Sequence, residues 1–281
     1  MEGGNILGEP YPTIDRRGLQ WSSSVGSVAT GGVFLKARLH EGGEDYYLKM
    51  SNYDIYRGVF GHEAVNEVIA YRLAGILGID AAESVLEKAL VSVDGAEFTT
   101  YVSKSKSFKA TGDSRVSFET YYVNNRLSAA ESPLEFCERA GWSQSTYKMF
   151  VFDFLIINRD RHGANLEIIK NATGIRMSPL FDNGVSFHFM AQSENDYSNF
   201  DILFDYPVNN FIGSRSLYTN LGFIKSPVTL SRNLGSADRG AVFEGIGNIL
   251  SKLHIDLIWE IIWKRFDHVK KICDIGFRQP Q

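Results

Sequence analysis

The sequence predicts an α+β protein in two parts: a β-rich first third that carries one helix, and a larger remainder that is mainly helical. Two observations set this division. Before residue 102, short β-branched and aromatic runs alternate with turns built on Gly and Asp. From about Ser117 onward the apolar residues recur at helical spacing instead. The expected lobes are residues 1–102 and 103–281.

Taken in order, residues 22–32 (SSSVGSVATGG) carry too little apolar bulk for a core element and read as a flexible loop. Residues 33–39 and 46–50 read as a hairpin across Glu41-Gly42-Gly43-Glu44. A helix is predicted over 62–77, where Val65, Val68, Ile69, Leu73, Ile76 and Leu77 share a stripe and Gly78 supplies the stop. Two more strands, 85–93 and 98–102, flank Val93-Asp94-Gly95. Helices follow over 117–127, 133–140 and 145–157, the last with Tyr147, Phe150, Val151, Phe154 and Leu155 on one side. A polar loop, 158–165, leads to two short strands, 166–170 and 175–177, around Asn171-Ala172-Thr173-Gly174. Residues 191–239, rich in Asn, Asp, Ser and Tyr, show no usable period. A last helix spans about 255–272, in which Trp259 and Trp263 read as packing residues.

A chain of 281 residues can bury one large core or two closely packed lobes without disulfide or metal staples. The net charge of −4 and the scattered Lys and Arg give no basic patch, so no nucleic-acid partner is expected. Cys137 and Cys273 lie far apart without ligand spacing and read as two buried free thiols, with a disulfide between them as the alternative. The N-terminal stretch is neither basic nor apolar, and no apolar run is long enough to span a bilayer. A cytoplasmic protein without a membrane span is expected, with delivery as a secreted effector left open. Asn171-Ala172-Thr173 fits a glycosylation sequon, but in that setting it reads as a hairpin turn.

Residues suited to chemistry gather in two segments. Asp160 precedes Asn165 on the polar loop that follows an apolar helix, and beyond the hairpin Pro179-Leu180-Phe181-Asp182-Asn183-Gly184 sets a carboxylate at the end of an apolar run. Phosphoryl transfer needs a group to orient the acceptor hydroxyl, oxygen ligands for Mg²⁺, and cations against the phosphate charge. The order of Asp, Asn, hairpin and a second Asp before Gly is that of protein kinases. Strands followed by helices match their two-lobed arrangement, with ATP in the cleft between lobes. Asp160 alone could equally be a turn residue. Both segments in this order weigh against that reading.

The segment Asn158-Arg159-Asp160-Arg161-His162-Gly163-Ala164-Asn165, followed by Asp182-Asn183-Gly184, resembles the HipA-like serine/threonine kinases. More distantly it resembles the phosphatidylinositol kinases, which share an Asp-Arg-His-x-x-Asn loop. The run from Asn66-Glu67 to Leu77-Gly78 looks like a helix of the same family, so the likeness covers roughly residues 46–189. It departs from the commonest kinase signature in having no His-Arg-Asp triplet and Asn183, not Phe, after Asp182.

The resemblance implies a two-lobed protein-kinase-like fold and a role for each matching residue. Asp160 would orient the acceptor hydroxyl, and Asn165 and Asp182 would bind Mg²⁺. Lys49 would contact the ATP phosphates and pair with Glu67, Glu63 being the competing partner; as a lone strand-end lysine it could also be merely solvated. His162 would either stabilise the transferring phosphate or hold Asp160 in place, and both readings stand. The Ser/Gly loop, with Ser24, Gly26 and Ser27, would cover the phosphates, and Ser22, Ser23, Ser24 or Ser27 would be an autophosphorylation site. Tyr101 and Val102 complete the residues expected at the cofactor.

The expected activity is ATP- and Mg²⁺-dependent phosphorylation of Ser or Thr hydroxyls on a protein or peptide. A lipid or small-molecule kinase and a nucleotide-binding pseudokinase are the alternatives. The lack of a basic cluster weighs against a lipid headgroup, and the presence of Asp160, Asn165 and Asp182 together weighs against a pseudokinase. The stretch from Tyr197 to Tyr218 is either an acceptor-binding segment or a surface excursion, and the oligomeric state is not specified.

Overall fold

Tight turns decide the shape of the first part. In the computed structural model, which describes residues 11–23, 33–191 and 193–278, the strands are β1 (Thr13–Asp15), β2 (Ser22–Ser23), β3 (Val33–Glu41), β4 (Glu44–Asp54) and β5 (Gly58–Val59). After helix α1 (Glu63–Leu77) come β6 (Ser84–Val93) and β7 (Ala96–Lys106). The β3–β4 turn places Gly42 and Gly43 at φ 61° and 80°, and the β6–β7 turn places Asp94 and Gly95 at φ 50° and 83°. Positive φ at both central positions is what a two-residue hairpin on twisted strands requires. The strands form a seven-stranded sheet in the order β1-β6-β7-β4-β3-β2, with β5 on β4. Leu35, Ala37, Leu48, Met50, Ala89, Val91, Val93 and Val102 alternate onto one face as a buried cluster.

α1 is buried on nearly its whole circumference. Its Val65, Val68, Ile69, Leu73 and Leu77 belong to the same apolar cluster as the helices of the second part. The helix ends at Gly78 with φ 67°, where an added Cβ would lie 1.7 Å from Ser231 Oγ. Only glycine closes this helix against its neighbour.

The second part runs β8 (Ser114–Ser117), α2 (Phe118–Asn125), α3 (Pro133–Arg139), α4 (Ser143–Ile156), β9 (Asp160–Arg161), a 3-10 turn at Gly163–Asn165, β10 (Glu167–Asn171) and β11 (Gly174–Met177). It continues with α5 (Glu194–Ser198), β12 (Asn209–Asn210), α6 (Leu217–Gly222), β13 (Val228–Leu230), α7 (Asp238–Val242), α8 (Lys252–Ile272) and β14 (Ile275–Phe277). α4 is buried on all sides from Met149 to Ile156 and lies at the centre, whereas α8 packs through Leu257, Ile258, Ile261, Ile262 and Phe266. Trp259 packs against the core and Trp263 is exposed. Asp80 and Ala82, just after α1, exchange backbone hydrogen bonds of 2.8 Å with Leu180. That pairing brings the segment leading to Asp182 beside the connection from α1 to β6.

Several expectations change. The boundary placed at residue 102 falls inside β7, which continues to Lys106. Ser22 and Ser23 pair with β3 as a short edge strand, where a loop was expected; residues 24–32, including Ser24, Gly26 and Ser27, lie outside the described residues. β8 adds a third strand to the predicted hairpin. The region without a period holds α5, β12, α6, β13 and α7, short elements set by caps such as Ser193 and Ser216 and not by apolar spacing. Cys137 and Cys273 are free thiols. No described helix is long and apolar enough to cross a membrane.

Candidate active site

A buried ion pair anchors the loop that carries Asp160. α4 is apolar through its second half except for Asp153, and Asp153 meets Arg161 with both side chains 1% exposed. The Arg161 guanidinium donates to Asp153 Oδ1 at 2.8 Å, to the Phe181 carbonyl at 2.8 Å and to Asn183 Oδ1 at 2.6 Å. One side chain thus ties α4, β9 and the segment around Asp182 together. Asn158 extends the network, donating to Asp153 Oδ1 at 3.0 Å and accepting from the Asp160 amide at 3.2 Å. Between α4 and this loop, Ile157 has φ 52°. Left-handed backbone at a β-branched residue is strained, by about 1–3 kcal/mol, and is held by the surrounding structure.

Asp160 stands at the mouth of the cleft, half-buried. Asn165 Nδ2 donates to the Asp160 carbonyl at 2.9 Å, and Asn209 Nδ2 approaches Asp160 Oδ1 at 3.4 Å. Burial raises the Asp160 carboxyl above its ordinary value, with the neighbouring His162 opposing and the charge of Asp182 assisting. A raised pKa makes the carboxylate a better proton acceptor. His162 Nδ1 accepts from the Ala164 amide at 3.1 Å. The imidazole proton therefore sits on Nε2, which is 3.6 Å from Asp160 Oδ2. That arrangement supports the holding role for His162, since its polar edge faces the carboxylate.

Asp182 closes the site from the other side, in left-handed backbone at φ 59°. Its Oδ1 accepts from Lys49 Nζ at 3.1 Å and its Oδ2 from Lys36 Nζ at 2.9 Å. Burial works against the charged form, but the two ammonium groups outweigh it and hold the Asp182 carboxyl well below the usual carboxylate range. Lys49 also lies 3.9 Å from Glu67 Oε2. Burial opposes its charge as well, yet Asp182 and Glu67 together raise its pKa. The Glu67 carboxyl is pushed up by burial, with Lys49 opposing.

Glu63, the competing partner for Lys49, instead accepts from the Asn52 amide at 3.3 Å, one turn before Glu67 on α1. Asn66 on the same helix donates to the Gly184 and Ser186 carbonyls at 3.3 and 2.9 Å. Gly184 itself is required by space: a Cβ there would lie 2.8 Å from the Glu63 carbonyl oxygen.

Lys36, Lys49, Glu67, Asp160, His162, Asn165 and Asp182 line one cavity of about 220 Å³. Sequence reasoning therefore brought together Lys49, Glu67, Asp160, His162, Asn165 and Asp182. Tyr101 and Val102 are corrected: neither lines the cavity. Tyr101 packs its ring on Tyr11 at 6.0 Å, and Val102 is fully buried under the far face of the sheet. Ser103, the next residue of β7, lines the cavity instead, as the strand alternation requires.

Lys36, Asp153, Arg161 and Asn209 touch these residues or their loops and were not named as site residues from the sequence. Asp153 carried a signal, being a lone carboxylate inside an apolar helix, and Arg161 carried another, standing between two motif residues. Lys36 and Asn209 carried none, because only the register of β3 and the pairing of β12 with β9 place them.

The donor set fits a hard cation with a phosphate chain. Asn165 commits its Nδ2 to Asp160, which leaves Oδ1 as an oxygen ligand beside the Asp182 carboxylate. Ser103 Oγ and Glu63 Oε1 are buried at the cavity without a hydrogen-bond partner among the described residues, as polar groups of a ligand site would be.

Among solved structures the chain is similar to the Helicobacter pylori proinflammatory kinase CtkA, with a TM-score of 0.54 and 17% identity over 93% of this chain and 96% of that one. It also matches HipA of Shewanella oneidensis MR-1, from the complex with HipB and operator DNA, at a TM-score of 0.41 and 14% identity, covering 92% of this chain and 61% of that one. WaaP in complex with acyl carrier protein matches at a TM-score of 0.37 and 12% identity, over 90% and 89% of the two chains. No family model and no curated protein matches. At these identities the likeness is one of fold. The fold is protein-kinase-like, as the two-part pattern and the loop motifs predict.

Proposed function

We propose that the chain transfers the γ-phosphoryl group of ATP, with Mg²⁺, to a Ser or Thr hydroxyl of a protein or peptide. The observation that carries this reading is the convergence of Asp160, Asn165, Asp182 and the Lys49–Glu67 pair on one cavity. No simpler structural role would bring a half-buried carboxylate, an amide oxygen and a lysine-held carboxylate to the same space.

Asn165 Oδ1 and the Asp182 carboxylate would hold Mg²⁺, which when bound neutralises charge on the phosphate oxygens. Lys49, oriented by Glu67, would neutralise the same charge from the sheet side. Asp160 would accept the proton of the acceptor hydroxyl at a carboxylate oxygen, with His162 and Asn209 fixing its orientation. Arg161 keeps Asp160 and Asp182 in register through its bonds to Phe181 and Asn183. The same geometry would serve transfer within the chain, and Ser22 and Ser23, exposed on β2, are the described candidates for autophosphorylation.

Purified protein incubated with Mg²⁺ and γ-labelled ATP, with and without a generic protein acceptor, tests the reading. Label on the chain or the acceptor is expected, and it should vanish in Asp160→Ala and Asp182→Ala. Absence of label in the wild type, with nucleotide still bound, would refute protein phosphorylation.

A further inference from the structure

Lys36 stands directly opposite Lys49 in the β3–β4 ladder. Two ammonium groups at one cross-strand position repel each other and weaken the sheet. The register of β3 is also shifted between Phe34 and Lys36, an irregularity of the kind that re-aims a side chain. Both lysines turn into the same cavity and meet the two oxygens of one carboxylate, Lys36 on Asp182 Oδ2 and Lys49 on Asp182 Oδ1.

Their remaining partners differ. Lys49 has Glu67 at 3.9 Å, whereas Lys36 has no second carboxylate among the described residues. A divalent cation on Asp182 would crowd its charge against the two ammonium groups that already meet the carboxylate. If a cation takes Asp182, Lys49 keeps Glu67 and Lys36 is left needing another anion. Lys36 also stands opposite Ser22 of β2.

We infer that Lys36 is a second phosphate-binding cation, which leaves Asp182 for the phosphate chain of the nucleotide when the metal binds. This rests on the reading of the cavity as a nucleotide site. Asp182 is then a switch between two states: neutralised by two lysines when the cleft is free, and by the metal when it is filled. The sheet contributes two cations to the phosphates, Lys49 held by Glu67 and Lys36 held only by what it binds.

Titration calorimetry on the full chain tests this with two probes, a non-hydrolysable ATP analogue with Mg²⁺ and adenosine. Lys36→Met should lower affinity for the analogue about ten-fold or more, about 1.4 kcal/mol, and leave adenosine binding unchanged. Lys36→Arg should restore most of the loss. Thermal melting should show that Lys36→Met is folded, since removing one of two opposed charges does not destabilise the ladder. Equal or tighter binding of the analogue by Lys36→Met, or a parallel loss of adenosine, would overturn the role of Lys36. If the wild type itself binds neither probe, the nucleotide reading of the cavity falls first, so the two failures are distinguishable.

Discussion

Replacing Asp153 by leucine would leave the Arg161 guanidinium buried without its carboxylate. Both side chains are 1% exposed, so water cannot take over the lost contact. Breaking a buried pair from one side costs about 3–5 kcal/mol, against a whole stability of about 5–15 kcal/mol for typical domains. Asp153→Leu should therefore be severely destabilised in urea, followed by tryptophan fluorescence. Removing both charges in Asp153→Leu/Arg161→Met takes away the uncompensated ion and should recover about 2 kcal/mol or more of that loss. Recovery will be incomplete, because Arg161 also serves the Phe181 carbonyl and Asn183 Oδ1, and a buried group left unbonded costs about 1–3 kcal/mol. The double variant should also bind Mg²⁺-nucleotide poorly while folded, since nothing then ties the Asp160 loop to the Asp182 segment. A single-variant cost below about 1 kcal/mol, or no coupling between the two sites, would refute the argument that this pair anchors the site.

Other outcomes follow from the same geometry. Burial pushes the Glu63 carboxyl up from 4.5 to about 7, so the folded state keeps a proton that the unfolded state releases across that window, and stability falls as pH rises through it. Glu63→Gln should gain up to about 3 kcal/mol over wild type at pH 8 and little at pH 4, by denaturant titration at both pH values. His254 has the opposite sign: burial, with His62 and His188 nearby, lowers it from 6.5 to about 3, so only the unfolded state takes up a proton between those values and stability is lost as pH falls. Its ring lies 4.4 Å from His62 and 4.9 Å from Tyr197, with both nitrogens lacking partners among the described residues. His254→Phe should flatten the acid limb, whose slope from one such group is at most about 1.4 kcal/mol per pH unit; an unchanged acid midpoint would count against it. Gly184→Ala must displace either α1 or the Asp182 segment, because the new Cβ would lie 2.8 Å from the Glu63 carbonyl oxygen. It should cost about 1–3 kcal/mol by thermal or chemical melting and weaken Mg²⁺-nucleotide binding, and retention of both would show that the contact relaxes freely.

The sequence made legible what rests on local pattern. The glycine turns at 42–43 and 94–95, the α1 stripe and the order of Asp160, Asn165 and Asp182 are all readable from neighbours within a few positions. Residues whose placement depends on distant pairing were not. Asn209 reaches Asp160 only because β12 lies parallel to β9, and β12 is two residues of polar chain with no period to find. Tyr101 and Val102 were two residues and one residue short of Ser103, and in a strand the one-residue slip sets Val102 on the opposite face. Lys36 looked like any charged residue on a hairpin until the register set it opposite Lys49.

The division into lobes also reads differently once burial is known. By sequence α1 belongs with the strands that precede and follow it. By packing its apolar residues join the cluster of the second part, while the far face of the sheet has a separate cluster of its own. Polar contacts agree: Arg72 of α1 donates to the carbonyls of Val242 and Glu244 at 3.2 and 2.7 Å, and Asn66 donates to those of Gly184 and Ser186. Glu67 and Asp182 are thereby fixed in one packed body, because moving α1 would open a core where lost contacts are costly. Lys36 and Lys49 come from the sheet. The bonds that these two lysines make to Asp182, and the longer contact from Lys49 to Glu67, join the sheet to the helical body across the cavity, beside the bonds from Asn52 to Glu63 and from Ala64 to Ser51. A change in the angle of the sheet would be felt at those links, while the spacing of Glu67 from Asp182 would hold.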